Sequence, residues 1–398
     1  MNPIGPSCCP VAVGRGTLVT VPELVVLVEQ LLAPVPGGTG RYTRELASAL
    51  AATAPPEWIV SSAVARHNDP SPAVIPGVDG PKVLPLPPKA LAYAWEHGWP
   101  LWPGGDAVHA PTPLAPARAK RGRGLVVTVH DTVPWTHPDT LTRRGAHWHQ
   151  RVISRATYQA DAIIVPTSAV AAELTQHAPG TARVHVIGHG VSAALRDLPD
   201  RDASFRIRAR LRLPDRYVLA VGTVEPRKAL GILVDAMSRP TAPDLPLVIA
   251  GPPGWGGVDL PDLARKRGLP PDRLIMLGRL TDGELTVVLH GASVLAMPSL
   301  AEGFGLPMLE AMAAGVPVVH SDAPALVEVA AGTGALARRQ DPVALATALR
   351  SVFADPARTE ARVAAARLRA GAFTWERAAQ LVWNVHLELH QNRLIGLL

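Results

Sequence analysis

The chain has 398 residues, 47% of them hydrophobic, and a formal charge of +6 from 39 basic and 33 acidic side chains, a length that exceeds one core and predicts about two domains. Its only lysines are Lys82, Lys89, Lys120, Lys228 and Lys266, so scattered arginines carry the basicity; without interleaved aromatics they exclude a nucleic-acid stacking platform. Cys8 and Cys9 are the only cysteines and are adjacent, which excludes a disulfide framework and a thiolate metal site.

Residues 1–17 read as an unstructured extension rich in Pro and Gly. The apolar stretch that follows is broken by Pro22, Glu23, Glu29 and Pro34, so it is neither a signal peptide nor a membrane span, and a reducing cytoplasm is the expected setting. Apolar runs at 24–28, 58–60, 125–129, 162–165 and 184–187 predict buried strands, with helix patterns at 44–52 and 170–177. Residues 76–124, rich in Pro, Gly and Trp, have no clear periodicity and read as a surface excursion. The stretch 195–215 is charged, arginine-rich and punctuated by Pro199 and Pro214; it is the expected linker. Strand patterns resume at 217–221, 247–250, 274–277, 294–297 and 316–319, alternating with helix patterns at 231–237, 262–266, 285–290 and 341–352. Short buried strands alternating with helices predict an α/β class with parallel sheets covered on both faces. The expected division is a tail at 1–17, an N-terminal domain at 18–195, a linker at 196–215, a C-terminal domain at 216–372 and a final helix at 373–398.

Four strand-end runs carry the chemistry. In Pro36-Gly37-Gly38-Thr39-Gly40-Arg41-Tyr42 three glycines allow close backbone approach to an anion at a helix start, although a tight turn alone would account for them. His130 and Asp131 end the strand at 125–129, where open α/β sheets bind ligands; Asp131 reads as an orienter of loop backbone. Gly222-Thr223-Val224-Glu225-Pro226-Arg227-Lys228-Ala229 sets two adjacent cations after a strand, a pair suited to a diphosphate. Glu302-Gly303-Phe304-Gly305-Leu306-Pro307-Met308-Leu309-Glu310 is a strand-to-helix turn with a carboxylate at each end. The turn offers N–H groups to phosphate, while the carboxylates suit sugar or ribose hydroxyls. Among the fourteen histidines no spacing suits a metal, and none is expected.

The last run resembles the E-x7-E motif of retaining glycosyltransferases of family 4, and the third resembles the G-T-x-E-P-R-K-N element of a subgroup that includes mannosyltransferases, with Ala229 in place of the asparagine. The glycine run and the Val129-His130-Asp131 run are similar to further elements of that family, in the same order. The resemblance implies the GT-B fold, two Rossmann-like domains facing across a cleft, with acceptor contacts in the N-terminal half, residues 76–124 included. It implies a nucleotide-diphosphate sugar donor, GDP-mannose first, and a glycan or lipid-linked acceptor, with no cofactor. Gly38, Arg227, Lys228, Gly303, Phe304 and Gly305 would bind the diphosphate, Glu310 the ribose, and His130 and Glu302 the donor sugar. The final helix would pack back onto the N-terminal domain. A lipid-linked acceptor would bring peripheral contact with the inner face of an anionic membrane through Arg118, Arg121 and Arg123. A nucleotide-sugar epimerase and a non-catalytic module for anionic lipid are the alternatives.

Overall fold

A computed structural model describes residues 21–396; the expected tail at 1–17 and both cysteines lie outside them. The chain forms two parallel sheets. The first contains β1 (Glu23–Leu27), β2 (Ile59–Val64), β3 (Asp79–Val83), β4 (Ala107–Ala110), β5 (Gly124–Thr128), β6 (Ala162–Val165) and β7 (Arg183–Val186), in the order β3-β2-β1-β4-β5-β6-β7. The second contains β8 (Val218–Val221), β9 (Leu247–Ala250), β10 (Leu274–Gly278), β11 (Val294–Met297), β12 (Val318–Ser321) and β13 (Ala335–Ala337), in the order β10-β9-β8-β11-β12-β13. Each order reverses direction after its first strand, β1 or β8, and such switch points open crevices at the carboxyl ends of the strands.

The central strands are runs of Val, Ile, Leu and Ala buried along their whole length, as in Leu24 to Leu27 and Val294 to Met297, because helices cover both faces. Register is regular at the centre, Val25 beside Ser61 and Val108, Leu295 beside Val318 and Leu219. Helix starts follow local capping chemistry. Thr167 accepts the Val170 N–H, and Thr281 with Glu284 forms a capping box.

Three expectations change. Residues 76–124 are not a surface excursion: they supply β3, the Pro88–Glu96 helix and β4, which lies at the middle of the first sheet between β1 and β5. The expected linker contains a helix, Arg201–Arg210, started by Asp200. The glycine run does not precede its helix but forms its first turn, since the helix spans Gly37–Ala52 and the Gly40 N–H donates to the Pro36 carbonyl.

The last helix, Trp375–Gly396, lies on the N-terminal half. Trp383 donates its indole N–H to the Leu50 carbonyl at 3.0 Å, Arg393 pairs with Asp161 at 2.6 Å, and His386 meets His109 of β4 at 3.3 Å. Gly190 permits the approach of this helix, because a Cβ there would stand 2.3 Å from the Trp375 nitrogen.

Candidate active site

The ends of β5, β8 and β11 bring the sequence-derived residues to one cleft. The turn after β11 is fixed by glycine. Gly305 has φ +89°, and a Cβ on it would stand 2.5 Å from Leu326 Cδ2. Gly303 presses on the opposite half, since a Cβ there would stand 1.7 Å from the His130 carbonyl oxygen. Thr167, also from the N-terminal half, donates its hydroxyl to the Gly303 carbonyl at 3.1 Å. The helix Leu306–Ala314 starts from this turn, and its Leu306 faces Gly38 in the first turn of the Gly37–Ala52 helix. Two helix N-termini therefore converge, each with unpaired N–H groups and the positive end of a dipole.

Glu302 is nearly buried and holds both cations of the second half. Lys228 Nζ donates to its Oε1 at 2.7 Å and Arg227 to its Oε2 at 2.9 Å, while the Ser299 hydroxyl donates to Oε1 at 2.7 Å. Burial alone would raise the Glu302 carboxyl, but the Lys228 and Arg227 charges and the hydrogen bonds from Lys228 and Ser299 outweigh it and hold it at about 2. Arg227 also pairs with Glu225 at 2.8 Å. Ala229, where the resemblance expects asparagine, adopts a left-handed φ of +49°.

Glu310 is 2% exposed and its partner comes from across the cleft: Arg41 donates to Oε1 at 2.6 Å and to Asp282 at 3.0 Å. Burial pushes the Glu310 carboxyl up, and Arg41 offsets this only in part. His130 donates Nε2–H to the Pro111 carbonyl at 2.8 Å, which leaves Nδ1 as an acceptor. Its ring meets the edge of Tyr42 at 4.6 Å, and burial lowers its pKa, so it is neutral at pH 7. Phe304 turns away: its buried ring packs against His189 and Phe373 at 4.5 and 5.6 Å, leaving only its backbone for the cleft.

Arg41, Asp282 and Glu328 were not foreseen. Glu328 of the Pro324–Ala330 helix accepts the Ser168 and Ala169 N–H groups at 2.8 and 2.9 Å, capping a helix of the other half. For Arg41 the signal was available: a cation beside a helix N-terminus opposes the dipole and calls for a carboxylate partner. The chain holds one Asp-x-Asp spacing, Asp200-Arg201-Asp202, but Asp200 is engaged as a cap on Ala203 N. Among the described residues no group of three or more His, Cys, Asp or Glu side chains could hold a metal ion, and no helix is long and apolar enough to cross a membrane.

The family described as Glycosyl transferases group 1 matches residues 203–369, and Glycosyltransferase Family 4 matches residues 36–195. The glycogen synthase of Mycobacterium tuberculosis is 31% identical, over 88% of this chain and 91% of that protein. The D-inositol 3-phosphate glycosyltransferase of Salinispora tropica is also 31% identical, over 70% of this chain and 62% of that one. The solved structure of the sucrose-phosphate synthase of Thermosynechococcus elongatus superposes with a TM-score of 0.74 at 25% identity, covering 93% of this chain and all of that one. With both halves matched and a relative aligned nearly end to end, the chain belongs to the GT-B glycosyltransferases, family 4 in its N-terminal half and group 1 in its C-terminal half.

Proposed function

We propose that this glycosyltransferase moves a hexose from a nucleotide-diphosphate sugar, GDP-mannose being the first candidate, to a glycan or lipid-linked acceptor. On this reading the anomeric configuration is retained and no divalent ion or organic cofactor takes part. The domain roles follow: 18–195 handles the acceptor and 216–372 the nucleotide sugar, with 196–215 between them and the Trp375–Gly396 helix packed back across. The observation that carries the reading is the convergence of Arg227 and Lys228 on Glu302 at the Gly303–Gly305 turn, directly opposite His130.

Breaking the anomeric C–O bond leaves negative charge on the leaving diphosphate. Arg227, Lys228 and the backbone N–H groups of Gly303, Phe304, Gly305 and Gly38 are fixed before the reaction, so they stabilise that charge without reorganising. Glu302 keeps its cations and accepts a donor-sugar hydroxyl at the Oε2 site they leave open, and neutral His130 accepts from another hydroxyl through Nδ1. Glu310 takes the ribose diol, for which Arg41 gives way. The leaving phosphate oxygen takes the acceptor's proton as the new C–O bond forms on the same face of the sugar, and no side chain acts as base.

Peripheral membrane contact, where the acceptor is lipid-linked, falls to exposed Arg118 and Arg121, because Arg123 is already paired with Asp106. The test of the whole reading is a thermal-shift screen of GDP- and UDP-sugars, since a ligand of the folded state raises its apparent stability. It is followed by transfer assays with and without excess EDTA and by NMR of the product anomer. No shift with any nucleotide sugar sinks the donor site; activity lost to EDTA and restored by manganese sinks metal independence; an inverted product sinks retention.

A further inference from the structure

His130 is tied at one ring nitrogen, to the Pro111 carbonyl, and a histidine ring tied at one atom still has a broad χ2 to turn through. Tyr42 removes that freedom: its ring stands edge-to-face with the imidazole at 4.6 Å and 87°. His189 and Trp375 close on the same tyrosine at 4.7 and 5.8 Å. Tyr42 lies in the Gly37–Ala52 helix, beside Arg41 and one turn after Gly38, so it joins the glycine run to His130.

The tyrosine is itself pinned from the other end of the chain. Its hydroxyl meets Thr128 Oγ1 at 3.1 Å, Thr128 meets His109 Nε2 at 3.3 Å, and His109 Nδ1 meets Nε2 of His386, on the last helix, at 3.3 Å. Tyr42, Thr128, His109 and His386 are all buried. His109 pairs with Val126 across β4 and β5, and Thr128, two residues on, shares that face of the sheet. Both are polar exceptions in apolar strands. Burial keeps the two imidazoles neutral, so each has one N–H and one acceptor nitrogen, as a linear chain requires. Burial also pushes the Tyr42 phenol far up; it keeps its proton and cannot act as a base. Apolar residues of the same shape would fill these positions with no hydrogen bond to satisfy. What the polar chain adds is one fixed orientation for the ring at its end.

Resting on the transferase reading, we infer that Tyr42 is the positioning residue of His130: pinned through Thr128 and His109 to His386, it holds the imidazole with Nδ1 toward the donor sugar. A residue of the last helix thereby bears on turnover.

The experiment uses the whole protein. Nucleoside diphosphate release is followed with GDP-mannose, or with whichever GDP- or UDP-sugar gives the largest thermal shift, water serving as acceptor; the His130 imidazole is titrated in parallel by nitrogen NMR, which needs no turnover. Tyr42→Leu should lower kcat about 10²-fold, the cost of a small misplacement at a reacting centre, with the donor-induced thermal shift retained. In the same variant the His130 titration should move up toward 6.5 as water reaches the ring. Tyr42→Phe, which keeps the ring and drops the hydroxyl, should recover most of the loss. Tyr42→Phe and Thr128→Val cut the same link, so the double variant should lose less than the product of the two. Full kcat in folded Tyr42→Leu, a loss confined to KM, or an unmoved His130 titration overturns the inference. Where Tyr42→Leu does not fold, effects of Tyr42→Phe and Thr128→Val that simply multiply overturn it. No donor shift in the wild type overturns the transferase reading instead, and the titration still decides whether Tyr42 holds His130.

Discussion

The two carboxylates on either side of the Gly303-Phe304-Gly305 turn are met by different halves of the molecule. Glu302 is held by Lys228, Arg227 and Ser299, all from its own half, and is ionised down to about 2. Glu310 is buried more deeply, its cation, Arg41, belongs to the opposite half, and its pKa is raised. One centre is therefore complete within a domain and survives any opening of the cleft; the other exists only while the cleft is shut. The same division recurs where Glu328 caps the Ser168–His177 helix across the interface, a contact that also disappears on opening. A rigid charged centre suits a leaving group, and a carboxylate whose cation comes from the opposite half suits a ligand that can take that cation's place.

Lys228→Ala attacks the centre built within one half. Turnover should fall by about 10²–10³, the usual cost of one preorganised stabiliser of developing charge. The fold should survive because Arg227 still compensates Glu302, which circular dichroism checks. Wild-type turnover in the folded variant would move the diphosphate elsewhere.

Acidification should break the molecule first at buried histidines, not at either carboxylate. His109 is lowered to about 3 by burial and by the nearby His130, and burial lowers His386 well below 6.5. A group whose folded pKa lies below its unfolded value gives its full stability above the unfolded pKa, here 6.5, and loses it as the pH falls toward the folded one. Each such histidine contributes a slope of about 1.4 kcal/mol per pH unit below 6.5. Glu302 obeys the same sign in a lower window, between its unfolded 4.5 and about 2. His386→Leu should flatten urea-derived stability against pH between 6.5 and 5 by about one such slope; an unchanged profile rejects the assignment.

Arg41→Ala and Glu310→Gln test the centre built across the cleft. Glu310→Gln should weaken the donor by about tenfold, on the order of 1.4 kcal/mol for a hydrogen bond to a charged group, without loss of fold. Arg41→Ala leaves Glu310 buried without its cation, so the free protein should melt lower. With nucleotide sugar bound, ribose takes over Glu310, and the donor-induced shift should exceed that of the wild type. An equal or smaller shift in differential scanning fluorimetry would mean that Arg41 stays with Glu310, or contacts the donor itself.

The smallest effect concerns the surface. Arg118→Ala/Arg121→Ala should abolish a weak, salt-sensitive attachment to anionic liposomes, worth about 1 kcal/mol per basic residue. Co-sedimentation that is insensitive to salt, or unchanged in the variant, rules that contact out.

Local chemistry made much of this legible. β6, β9 and β11 are uninterrupted apolar runs bounded by turn residues, β1 and β5 are apolar but for one end residue, Glu23 or Thr128, and a parallel strand buried on both faces needs little else. The Gly303–Gly305 turn, its flanking glutamates and the Arg227-Lys228 pair were readable because backbone conformation, a helix start and charge are all written within about ten residues. β3 and β4 were not. β3 is an edge strand with Pro81 and mostly exposed side chains, so it carries no apolar signal. β4 has four residues, and its buried His109 is tolerated only because Thr128 and His386 meet its two ring nitrogens. Arg41 and Glu310 are 269 residues apart, and nothing local in either says that they meet. By itself the sequence determined the parallel α/β class, the strand-end turns and the charged residues that flank them. Tertiary structure decided which carboxylate each cation neutralises, where Phe304 points and what packs against His130, because those depend on which distant surfaces close on one another.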